Sequence, residues 1–121
     1  MLILGIAVAG AIGAPTRFLL DGYVQDKTSG ERPLGTLVIN ATGSFALGVL
    51  TGLVLYHAFP ATPKVILGTG FCGAYTTFST YAYETVRMAE GGDRRDALRF
   101  FLGSLLIPAL AAAAGLALAA L

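Results

Sequence analysis

Apolar residues run through this chain in four long blocks, at about 2–20, 34–56, 65–88 and 97–121, with short polar stretches between them. Each block approaches the roughly 20 residues that carry a helix across a hydrocarbon core. The pattern predicts an all-α membrane protein of four transmembrane helices, a single transmembrane domain over 1–121 with no soluble domain. The first block lacks a clear cationic leader and a convincing cleavage site, and so reads as a retained span rather than a signal peptide.

Small and polar residues inside the blocks are spaced like helix faces. In the first, Gly5, Ala9 and Gly13 recur every four residues, the small-xxx-small pattern that lets backbones approach closely. Arg17 follows Pro15, and two readings stand for it: snorkelling to headgroups, or bracing a polar vestibule that attracts anions. The second block carries Thr36, Asn40, Ser44, Gly48 and Gly52 at intervals of four, ending in a GxxxG signal. Asn40 brings two donors and an acceptor into an apolar setting, where they must be satisfied. It either glues helices together or touches a permeating solute.

The third block is the unusual one. Gly68 to Glu84 holds three glycines and a run of hydroxyls in Thr69, Thr76, Thr77, Ser79 and Thr80. These residues are poor helix interior formers. In lipid a freed backbone group is tolerated only inside protein or against a polar cavity, so a broken helix is expected here, presenting carbonyls as ion sites do. The bland alternative is a kinked helix whose hydroxyls bond their own turn. Glu84 lies a turn beyond Thr80 and three residues before Arg87, which suggests an ion pair or a headgroup-level cap. The fourth block has Phe100, Ser104 and Pro108 on one face; a lone serine such as Ser104 ordinarily bonds its own turn, and Pro108 should bend the helix and free a carbonyl. Between the first two blocks, residues 21–33 read as a loop with a turn at Thr28-Ser29-Gly30.

Composition agrees with burial in lipid. Only 12% of the 121 residues are charged, about half the usual share for a soluble domain. The single Cys72 excludes an intrachain disulfide and a cysteine-based metal site. His57 ends the second block and reads as interfacial. A net charge of +1 and the lack of a phosphate-binding fingerprint give no reason to invoke nucleic acid. Arg17, Lys27, Arg32, Arg87, Arg94, Arg95 and Arg99 all fall on one side of the membrane and only Lys64 on the other. Positive-inside logic puts both charged loops in the cytoplasm of a plasma (inner) membrane protein and both termini outside.

Three stretches carry a resemblance: Gly13-Ala14-Pro15-Thr16-Arg17-Phe18, Gly35 to Phe45, and Gly70 to Tyr81. Together they resemble the Fluc/CrcB fluoride channels over essentially the whole chain, and the third stretch is the most specific. The resemblance implies an antiparallel dimer of four-helix subunits with a broken third helix, two fluoride pathways and a central structural Na⁺. By motif position, the sodium ligands would be the Gly73 and Thr76 carbonyls of each subunit. It further implies pore-lining roles for Asn40, Phe78, Tyr81, Thr77, Ser79, Thr80 and Ser104, a vestibule role for Arg17 and a structural one for Glu84. Tyr81 stands where the family usually has phenylalanine. Phe100 and Pro108 stand where hydroxyls often occur, thinning the fourth-helix side of the polar track.

Fluoride holds water tightly, so a selective lane must replace that water with several weak donors and no single deep trap. Amide, hydroxyl and ring-edge contacts do so without a fixed positive charge in the constriction. The expected activity is passive export of F⁻ from the cytoplasm, not enzymatic chemistry. Two other classes compete. A small four-helix proton-coupled multidrug exporter needs an embedded acid in its first span, and residues 2–20 contain none. A non-transporting scaffold leaves Asn40 and the Gly73–Tyr81 cluster unexplained. The one-sided charge also raises two partnerships, an antiparallel homodimer or a heterodimer with an oppositely oriented homologous subunit.

Overall fold

The computed structural model describes residues 1–28 and 32–121, and among these the fold is all-α. Three helices are long and apolar enough to cross a membrane: α1 (Leu2–Lys27), α2 (Leu34–His57) and α6 (Arg94–Ala119). Between α2 and α6 the chain is interrupted. A short α3 (Ala61–Val65) enters a π-helical segment (Ile66–Cys72), followed by a single turn α4 (Gly73–Tyr75), a non-helical step at 76–78 and then α5 (Ser79–Glu90). The expected break in the third block is therefore present, and wider π turns precede it.

Two boundaries differ from the sequence pattern. The first helix does not stop at Leu20 but continues to Lys27, so much of the expected 21–33 loop is helical. Its polar extension has left the apolar zone, where water satisfies side chains while the helix keeps its own backbone bonds. Thr28 closes it, with both N–H and Oγ1 donating to the Val24 carbonyl at 3.0 and 2.9 Å. The turn proposed at Thr28-Ser29-Gly30 falls largely outside the described residues. At the other end of the chain, α6 starts three residues early because Asp93 caps it, its Oδ1 accepting from the Asp96 N–H at 3.2 Å. Asp96 also pairs with Arg32 at 3.2 Å and Arg99 at 3.5 Å, tying the entrance of α2 to α6. At the opposite end, the His57 ring N–H donates to the Ala119 carbonyl at 2.7 Å and joins the two helices again.

Glycine sets the packing. A side chain at Gly48 would collide with the Ala112 carbonyl, one at Gly115 with the Phe45 carbonyl, and one at Gly52 would lie 2.5 Å from Ala119 Cβ. Thus α2 and α6 meet backbone to backbone, as the GxxxG signal predicts. The Gly5-Ala9-Gly13 stripe of α1 grips the interrupted segment in the same way: a Cβ on Gly13 would stand 2.5 Å from the Phe71 carbonyl, and one on Gly70 would stand 2.8 Å from both Ile6 O and Ala9 Cβ. With small residues spent on the interior, large apolar ones face outward, among them Phe18, Leu19 and Leu110. That inverted distribution suits lipid, where helix association rests on close packing rather than on hiding oil from water.

Replacing Gly48 by valine forces α2 off α6 and should cost about 1–3 kcal/mol. Gly22→Ala meets nothing within 4 Å and should be neutral or slightly stabilising. Thermal unfolding of the two variants in detergent checks the contrast.

Candidate functional site

The helix stops where Thr76 turns to an extended conformation (φ −84°, ψ 161°). Its N–H and Oγ1 still donate to the Cys72 carbonyl, each at 2.9 Å, so the backbone is intact up to that residue. The next amide leaves the ladder. Thr77 N–H donates to Asn40 Oδ1 at 2.8 Å, and Asn40 Nδ2 donates to the Thr77 carbonyl at 2.7 Å. A carboxamide has the donor and acceptor of a peptide group, so one buried side chain from α2 satisfies both ends of the freed residue. The gluing role proposed for Asn40 is thus realised, while its second N–H remains for another acceptor.

After the step, Thr77 Oγ1 accepts the Thr80 N–H at 3.2 Å and donates to Thr80 Oγ1 at 3.1 Å. This is an N-terminal cap spaced three residues apart, and it starts α5. Ser79 Oγ stands 3.4 Å from the same Thr77 oxygen. The hydroxyl run therefore restarts a helix inside the molecule, a part the bland reading of a kinked helix did not supply. Tyr75 adds a brace, its hydroxyl 2.8 Å from Thr42 Oγ1 on α2.

Asn40, Phe78, Tyr81, Thr77 and Ser104 meet around one cavity of about 260 Å³, which Ser44, Leu105 and Pro108 also line. The Phe78 and Tyr81 rings meet edge to face, centroids 4.8 Å apart at 76°. Phe78 is 68% exposed while Tyr81 is buried, so the two aromatic stations are unequal in this chain. Ser104 is 4% exposed and its Oγ is buried without a hydrogen-bond partner among the described residues. The expected bond to its own turn is not made. Its carbonyl also lacks the usual helical donor, because Pro108 has no N–H. Phe100, on the same helix face, lines a different cavity beside Arg32 and Asp96.

On the other side of Thr77 lies a cavity of about 220 Å³ lined by Arg17, Asp21, Thr36 and Thr80 among others. Arg17 Nη1 reaches the Thr76 carbonyl at 3.5 Å, which favours the bracing reading over simple snorkelling. A third, larger space of about 520 Å³ holds Gln25, Arg32, Thr80, Glu84 and Arg87. Thr80 lines both of these and Thr77 lines the second and the first, so hydroxyls sit at each junction of the row.

The Glu84–Arg87 ion pair is not formed. Glu84 turns inward, where its Oε1 accepts from Thr36 Oγ1 at 3.2 Å and its Oε2 is buried without a partner among the described residues. Arg87 is exposed on the outward side and lies over the Tyr83 ring at 5.9 Å. Thr36 was visible as a polar ladder position but not as the partner of a carboxyl. Its place one turn before Asn40, matching Glu84 one turn beyond Thr80, was the available signal.

The group proposed at Gly73 and Thr76 can be tested by chemistry. With Thr77 N–H taken by Asn40, the Gly73 carbonyl has lost its helical donor, and no amide in 76–78 replaces it. Gly73 is exposed and a Cβ there would meet little, its nearest neighbour being Gly68 O at 3.8 Å. A carbonyl on an exposed residue, without a donor among the described residues, suits a hard cation that takes oxygen ligands. The Thr76 carbonyl keeps a lone pair beside its long contact to Arg17. No cluster of three acid, histidine or cysteine side chains occurs among the described residues, so any ligand set here would be neutral oxygen.

A family model described as CrcB-like protein, Camphor Resistance (CrcB) matches residues 4–116. "Fluoride-specific ion channel FluC 2" of Cutibacterium acnes is 47% identical over 119 residues, 98% of this chain and 97% of its own. "Fluoride-specific ion channel FluC 1" of Leifsonia xyli is 46% identical over 116 residues, covering 96% and 85%. A FluC 2 from Moorella thermoacetica is 46% identical over 101 residues, covering 84% and 82%.

The Thr36–Glu84 contact gives a test of the inward carboxyl. Thr36→Val leaves a buried acceptor group with no partner and should lower stability by about 1–3 kcal/mol, whereas Thr36→Ser keeps the hydroxyl and most of that stability. Denaturant unfolding in micelles measures both.

Proposed function

The chain belongs to the CrcB-like family, as a multi-pass protein of the inner membrane, and from that premise we propose that it is a fluoride-selective channel releasing F⁻ passively from the cytoplasm. The observation that carries the reading is the Asn40–Thr77–Ser104 cavity: donors gathered at a broken helix, with no cationic side chain among its lining residues. Relatives named as fluoride-specific ion channels, alike over nearly the whole chain, supply the identity of the ion.

In this reading Arg32, Arg87 and then Arg17 draw the anion inward, and Thr80 and Thr77 pass it toward Asn40. The spare Asn40 N–H, the Ser104 hydroxyl and the ring edges of Phe78 and Tyr81 replace its water. Ser79 extends the hydroxyl track. Each contact is weak alone, so the ion is never trapped. Glu84 acts from the side, holding α5 to α2 through Thr36 rather than meeting the anion.

The interrupted segment is the remaining crossing of a single four-span domain. Its exposed face, with the Gly73 carbonyl, is where a second subunit docks antiparallel, giving two pathways per dimer. A structural Na⁺ between the Gly73 and Thr76 carbonyls of both subunits neutralises the unpaired oxygens at that junction. Seven basic residues on one side against Lys64 on the other favour a fixed orientation with the charged loops in the cytoplasm. An oppositely oriented homologous subunit is then a natural partner, with a homodimer the other arrangement.

Liposomes loaded with fluoride and containing only this chain should lose fluoride and retain chloride. Chloride loss at a similar rate overturns the selectivity. Ser104→Ala removes one of the few donors and should slow fluoride loss about tenfold, the equivalent of roughly 1.4 kcal/mol. Flux that appears only with a co-expressed homologue identifies the heterodimer.

A further inference from the structure

The break in the third span and the carbonyl it exposes have one author in the hydrogen-bond pattern. An unbroken α-helix gives the N–H of residue 77 to the carbonyl of residue 73. Here Asn40 Oδ1 takes the Thr77 N–H at 2.8 Å, and the Gly73 carbonyl is left without a donor among the described residues. One residue earlier the ladder is intact, since Thr76 N–H still reaches Cys72. The rupture therefore begins at the amide that Asn40 grips, and the backbone ladder resumes only where the Ala82 N–H donates to the Phe78 carbonyl.

We propose that Asn40 is the positioning residue for the cation site: by capturing the Thr77 N–H it keeps the Gly73 carbonyl free to ligate Na⁺. The inference rests on the sodium reading given under the proposed function. The Gly73 oxygen has two competing partners, an amide of its own chain, which would hold it along the helix axis and draw on its electron density, or a hard cation. Asn40 removes the first competitor. The second half of the clamp, Nδ2 to the Thr77 carbonyl at 2.7 Å, fixes the peptide so that its N–H does not swing back. Residue 40 thus acts on both the cavity that it lines and the exposed residue Gly73, which does not line that cavity. The two ions become linked through a single side chain without sharing a ligand.

The readout is the sodium concentration that gives half of the rise in thermal unfolding midpoint of purified protein, with N-methylglucamine as the replacement cation. Asn40→Leu has no acceptor, so Thr77 N–H returns to Gly73 and the half-point should move up about tenfold or more. Asn40→Asp keeps the Oδ acceptor and should move it upward by no more than about threefold, whatever it does to fluoride flux. Adding Thr77→Pro to the leucine variant deletes the competing N–H altogether. Thr76 already has the extended geometry that a following proline requires, so this double variant should recover the sodium response.

An unchanged half-point in Asn40→Leu overturns the coupling while leaving the cation reading in place. No sodium response in the unaltered protein overturns the cation reading itself, and the coupling with it. Should the leucine variant not fold, the aspartate variant decides: loss of its sodium response refutes the proposal and retention supports it.

Discussion

Two hydrogen bonds between the Asn40 carboxamide and the Thr77 backbone hold the rest of the structure in place. A helix can be broken inside a membrane only if the groups it frees are satisfied by protein, because hydrocarbon offers nothing. The asparagine supplies a surrogate peptide at that point. Thr77 Oγ1 then restarts the helix by capping Thr80, and Tyr75 anchors the preceding turn to Thr42. Without such partners the Gly70–Tyr81 stretch would have no affordable break, and the cavity between α2, α5 and α6 would close.

The framework around the break is made of absences. Glycines on α1 and α2 let the interrupted segment and α6 come within backbone contact. That closeness brings Asn40 within hydrogen-bonding distance of a residue 37 positions away. It also places Ser104 of α6 in the same small space, with a hydroxyl that nothing among the described residues answers. An unanswered buried hydroxyl in lipid is costly unless a ligand meets it. In the proposed channel, its presence beside the clamp turns a structural repair into a place for an anion.

Much of this was legible beforehand because periodicity and composition are direct expressions of lipid burial. The spans, the stripe at Gly5, Ala9 and Gly13, and the break near Thr76 follow from hydropathy and from residues that helices tolerate poorly. Partners across space were not. Asn40 was visible as a polar residue needing satisfaction, but nothing in the string said that Thr77 would satisfy it. Glu84 looked paired with Arg87 through sequence proximity. The actual choice depends on which face of α5 meets α2, a rotation set by distant packing. The extension of α1 to Lys27 escaped because its polar residues look like a loop when membrane burial is the only criterion. A helix outside lipid needs no apolar stripe on all sides.

The contact between α2 and α6 has a mechanical consequence. Where Gly48 rests on the Ala112 carbonyl and Gly115 on the Phe45 carbonyl, no flexible side chain lies between the two backbones to absorb a displacement. Sliding or rolling one helix on the other would drive carbonyl oxygen into α-carbon, so the pair behaves as a stiff chassis. The interrupted segment, with its short turns and two-bond anchorage, is the compliant member mounted on it. Elastic strain from thickening, thinning or tension in the surrounding bilayer should therefore fall on the non-helical step at 76–78 rather than on the α2–α6 contact.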